Sequence, residues 1–175
     1  MKSLIRSWLG LENVESRSDA ATLREVLDAL DKLEPERARY LARFAYLLGR
    51  VAHADQSVSA EETQTMETIL QREGHLPPEQ AMLVVGLAKT SNLIFGGTDN
   101  YLVAREFEAQ ATPEQKIELL RCLFAVSIAD EGVSIVEERE IQRIARELRI
   151  DAPDVVGLRL EFKDYLPGLM KRSTS

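Results

Sequence analysis

Cysteine is nearly missing from this sequence, and the one thiol present, Cys122, can form no internal disulfide. That excludes the disulfide-stapled small domains of oxidising compartments and fits a reducing, cytoplasmic one. Cys122 lies in the apolar run Leu119-Leu120-Arg121-Cys122-Leu123-Phe124, where it reads as a buried structural thiol. Arg121 points about 100° away from it on a helix and does not activate it. Aromatic residues make up only 6%, so the core has to be aliphatic. Six prolines and nine glycines are too few for the turns of a many-stranded sheet. No run approaches the ~20 apolar residues that span a bilayer. Positive charge is also short: 22 Lys and Arg face 29 Asp and Glu, a net charge of −7. A nucleic-acid partner is therefore excluded, because binding one needs lysine and arginine to displace phosphate counterions. An acidic surface suits cations and basic partners.

What is present fits a single helical domain of 175 residues. Residues 1–22 read as a short amphipathic helix and linker, 23–166 as the helical domain and 167–175 as a tail. In the first segment Lys2 and Arg6 alternate with Leu4, Ile5, Trp8 and Leu9. It is too short for a secretory leader and lacks a cleavage site. It would dock on its own domain or a sister subunit, or make weak contact with a membrane surface. The polar stretch from Glu12 to Thr22 reads as linker.

Helix signals follow at regular intervals. After a helix over Leu23 to Leu33, the residues Tyr40, Leu41, Phe44, Leu47, Leu48 and Val51 fall three and four apart, which predicts a helix ending near Asp55. Ser59 with Glu62, and Ser134 with Glu137, are capping-box pairs opening two more helices. Pro77-Pro78, Thr112-Pro113 and Pro153 each mark a helix start, and Asn100 to Ala109 forms another short helix. The expected fold is all-α, with seven or eight helices and no strand.

The fold is also expected to be internally duplicated. Offset by 75 positions, Leu48, Val51, Ala54, Asp55, Val58, Ser59, Glu62 and Ile69 meet identical residues at Leu123, Val126, Ala129, Asp130, Val133, Ser134, Glu137 and Ile144. Any two amphipathic helices could share the apolar matches, so the informative ones are the turn residues. Each half is then a helical hairpin with A-D-x-x-V-S-x-x-E at its corner, the two arranged about a pseudo-two-fold axis.

Two readings of that corner stand side by side. Asp55 and Asp130 sit at helix C-termini, where the macrodipole disfavours a carboxylate. Backbone N–H groups of the turn could satisfy them. Alternatively a divalent cation binds there, held by Asp55, Glu62, Asp130 and Glu137. The loops are not EF-hands: Met66 and Ile141 stand where a bidentate glutamate is required, and Ala60 and Ile135 replace the central glycine. His53 faces away from Asp55 and His75 lies in a solvated turn. Gly96-Gly97 lacks the lysine of a phosphate loop. No Ser-His-Asp or Cys-His arrangement is visible, so no enzyme is expected. Two basic stripes, Arg39/Arg43/Arg50 and Arg139/Arg143/Arg146, read as solvated helix surfaces, with docking of an acidic partner as the alternative.

From Tyr40 to Asp164, the doubled corner, its following Met66/Ile69 or Ile141/Ile144 helix and the central Phe95-Gly96-Gly97-Thr98-Asp99-Asn100 resemble the TerB family. That family comprises tellurite-resistance proteins and the related N-terminal region of membrane-anchored DnaJ-like co-chaperones. The resemblance implies two overlapping helical bundles and a metal-binding acidic cluster, here Asp55, Glu62, Asp130 and Glu137. Where the family corner often has glycine after the aspartate, this chain has Gln56 and Glu131. The expected function is a stress-response module that binds a divalent cation and docks partner proteins; a metal-free interaction or co-chaperone adaptor is the alternative.

Overall fold

The computed structural model describes residues 18–52, 59–89, 100–129 and 133–162. Among these it forms eight α-helices and no strand: α1 Ser18–Asp31, α2 Pro35–Ala52, α3 Ala60–Arg72, α4 Pro78–Lys89, α5 Asn100–Gln110, α6 Pro113–Ala129, α7 Ile135–Glu147 and α8 Ala152–Glu161. The all-α expectation holds. The amphipathic segment around Trp8 and the Gly96-Gly97 turn lie outside the described residues. None of the described helices is long and apolar enough to cross a membrane.

α1 starts at Ser18, inside the segment read as linker. Asp19 favours a helix N-terminus and Ala20 and Ala21 have high helix propensity, which the polar average of that stretch hides. The starts of α3, α6 and α7 follow the sequence. At α6, Thr112 Oγ1 accepts from Gln115 N at 3.2 Å while Thr112 N donates to Gln115 Oε1 at 2.9 Å.

α2 is the central helix. From Ala38 to Val51 nearly every residue is buried, and a helix apolar all round must be enclosed. α4, α5, α6 and α7 all pack on it. Tyr40 stacks on Phe107 of α5 at 5.3 Å between centroids, and Phe44 meets the same ring edge-on at 6.4 Å. Burying such a ring contributes about 1.5–3 kcal/mol. α1 lies against α4, where a side chain on Gly86 would come within 3.1 Å of Val26 Cγ2. α8 is held by Phe162 stacked on Phe124 at 5.5 Å and by the Arg121–Glu161 ion pair at 3.2 Å.

The duplication has a consequence for packing. α3, the second helix of the first copy, packs on α6, the first helix of the second copy; α7 in turn packs on both α2 and α6. The copies therefore interleave and share one core rather than sitting as separate hairpins. Some apolar residues of the periodic stripes face outward instead, with Met82, Tyr101 and Leu102 at least half exposed. For Met82 the cause is register: Ala81, Val84, Val85 and Ala88 form the inner face of α4.

Candidate functional site

Both corners are closed by complete capping boxes. Ser59 and Ser134 adopt the same extended backbone, φ −71°, ψ 169° and φ −70°, ψ 159°. Each hydroxyl accepts from the glutamate amide three residues on, at 3.1 Å in both copies. In return Ser134 N donates to Glu137 Oε2 at 2.7 Å, and Ser59 N donates to Glu62 Oε2. Each glutamate is thus fixed in one rotamer by its own turn. Its second oxygen has no partner among the described residues. Behind the corners, Val133, Met66, Ile141 and Ile144 are buried and anchor the helix starts.

The interleaved packing decides where these carboxylates go. A Cβ on Gly74 would lie 3.1 Å from Cys122 Sγ, and His75 Nδ1 is 3.0 Å from Glu118 Oε1. These contacts set the turn that follows α3 against the middle of α6. In the second copy Arg50, in the last turn of α2, bonds Glu140 at 2.8 Å and Glu147 at 2.7 Å. Glu140 lies one turn beyond Glu137 on the same side of α7. Glu137 is thus carried toward the end of the first copy's α2.

Of the four candidate ligands, Glu62 and Glu137 are described, and Asp55 and Asp130 lie outside the described residues, as does His53. Among the described residues no three His, Cys, Asp or Glu side chains come together as a metal-binding group. As a donor set, two fixed glutamates each with a spare oxygen suit a hard, oxygen-seeking cation rather than a thiophilic one.

Two of the three arginines of the first basic stripe, Arg43 and Arg50, depart from the expected solvation. Arg50 is only 7% exposed and bridges Glu140 and Glu147. Arg43 lies between α2 and α5, donating to Glu106 at 3.2 Å and to Gln110 at 2.6 Å. Arg37 binds Gln80 Oε1 at 2.9 Å with its guanidinium 5.1 Å above the Tyr40 ring. α2 is central, so Arg43 and Arg50 are enclosed and paired. The signal was available: charges on a helix otherwise apolar all round have no route to water.

Cys122 is fully buried, and burial pushes its thiol well above the ordinary range, so it stays protonated. His75 is 70% exposed, as expected of a turn, and is partnered by Glu118. It has a positive φ of 52°.

A family model described as "Tellurite resistance protein TerB" matches residues 41–160. No curated protein and no solved structure matches the chain.

Proposed function

The chain belongs to the TerB family, and from that premise we propose that it is a stress-response module that binds a divalent cation at its acidic corners and docks partner proteins. The observation that carries the cation half is the pair of matched capping boxes. Glu62 and Glu137 are held alike, each with one oxygen to spare. Asp55 and Asp130 would complete the set. Carboxylates gathered in this way repel one another, and a cation bound among them relieves the repulsion. The cation would supply positive charge that ties the two copies together.

The alternative is a metal-free adaptor. It is favoured by one observation: both glutamates are already engaged by backbone N–H groups and need no cation to be held.

Thermal shift of the purified protein, chelated and then titrated with Ca²⁺, Mg²⁺, Mn²⁺ or Zn²⁺, separates the two. A cation at a hundredfold excess over its Kd stabilises by about 2.7 kcal/mol, which for a chain of this size raises Tm by roughly 5–11 °C. Asp130→Asn should shrink that shift while leaving the chelated protein as stable or more so. A parent protein whose Tm ignores all four ions ends the cation reading and leaves the adaptor.

A further inference from the structure

The charges on α7 look evenly mixed in sequence, but the fold sorts them by sign. Glu137 caps its own helix, Glu138 receives Arg159 Nε at 3.0 Å, and Glu140 and Glu147 both close on Arg50. All four glutamates therefore have partners within the fold. The three arginines face outward: Arg139, Arg143 and Arg146 are exposed. Arg143 is 62% exposed and lies 3.8 Å from Glu140, while Arg139 and Arg146 meet no carboxylate among the described residues. Their i, i+4, i+7 spacing makes one row about 10.5 Å long.

Ile135 and Val136, 57% and 65% exposed, adjoin the end of this row. Ile135 is one turn before Arg139 and Val136 two turns before Arg143, so they share the face. Scattered exposed aliphatics are ordinary. Here two adjoin a row of arginines, of which Arg139 and Arg146 meet no carboxylate among the described residues, in a chain of net charge −7.

We propose that the outer face of α7 docks an acidic amphipathic helix of a partner protein. Arg139, Arg143 and Arg146 take carboxylates at matching spacing, and Ile135 and Val136 form the apolar anchor. This deepens the partner-docking half of the reading above and is independent of the cation. The layout of the face favours an acidic helix over an anionic membrane. The apolar residues cluster at one end instead of forming the continuous stripe that buries a helix in a bilayer surface, and the row of arginines matches carboxylates repeated at helical spacing.

The test uses a fluorescein-labelled helical peptide with glutamates at i, i+4 and i+7 and leucines at i−4 and i−3. Its anisotropy is read against the full chain with chelator present, so that failure of the cation reading leaves the result untouched. Saturable binding that weakens with added NaCl is expected. The triple variant Arg139→Glu/Arg143→Glu/Arg146→Glu should bind at least about tenfold more weakly, each exposed pair contributing roughly 0.5 kcal/mol, while remaining folded by circular dichroism. If that variant misfolds, Arg139→Gln/Arg146→Gln touches no internal carboxylate and should still weaken binding. The proposal is overturned if the parent does not bind the peptide, or binds its glutamine version equally well, or if the folded variants bind as tightly as the parent. It is equally overturned if phosphatidylserine-containing vesicles, and not the peptide, capture the parent in an arginine-dependent way.

Discussion

Replacing Arg50 by alanine is expected to be among the most damaging single changes in this protein. Its side chain is 7% exposed, with Glu140 and Glu147 beside it at 24% and 18%. Burial alone would lower the pKa of this guanidinium, but hydrogen bonds to Glu147 and Glu140 and the charges of both hold it above its ordinary value. Arg50→Ala leaves two half-buried carboxylates without their shared guanidinium, and only the exposed Arg143, 3.8 Å from Glu140, remains nearby. Breaking a fully buried pair costs about 3–5 kcal/mol. Because these carboxylates keep some contact with water, the lower end, about 3 kcal/mol, applies here. That lowers Tm by roughly 6–12 °C in a chain of this length. Arg50→Lys should lose about half as much, since one ammonium cannot span both carboxylates as the guanidinium fork does. Arg50→Met combined with Glu140→Gln and Glu147→Gln should recover most of the loss, because it removes every charge together. Thermal and urea denaturation at low and high salt provide the measurement, and the loss should persist in high salt, which screens buried pairs little. A fall in Tm below about 2 °C, or one that salt abolishes, would refute the reasoning.

Two glycines should respond in opposite directions to alanine. Gly74→Ala forces a methyl to 2.8 Å from Leu70 O and 3.1 Å from Cys122 Sγ and should cost about 1–3 kcal/mol by urea titration. Gly157→Ala, in mid-helix with nothing within 4 Å of the new methyl, should stabilise by about 0.5–1 kcal/mol; destabilisation there would show that the glycine serves a contact. Burial raises the Tyr40 phenol from 10.0 to about 12. The neutral phenol is thus favoured in the folded state, and its contribution to stability is complete below pH 10 and lost as pH rises from 10 toward 12. Tyr40→Phe should flatten the alkaline fall in Tm, and an unchanged profile would count against the assignment.

The caps were legible because they are local. Ser59 with Glu62 and Ser134 with Glu137 act across three residues, so the sequence states both the residues and their geometry, and the structure forms both boxes. The helical class followed from period, and the buried thiol from the apolar run around Cys122. The start of α1 was missed because composition averaged over a polar stretch conceals Ala20 and Ala21. The solvation of Arg43 and Arg50 was misjudged because a stripe is read one helix at a time.

By itself, then, the sequence determined the helical elements, the capped starts among them and the fact that one unit occurs twice. Those properties depend on spacings of three, four and 75 positions, all visible along the chain. Only the tertiary structure decided that α2 is enclosed and that the copies interleave. It alone turned the glutamates of α7 inward and its arginines outward. An amphipathic pattern fixes which face of a helix is buried, not which helix covers it. The partner that decides Arg50 lies 97 residues away at Glu147, and no local rule reaches that far.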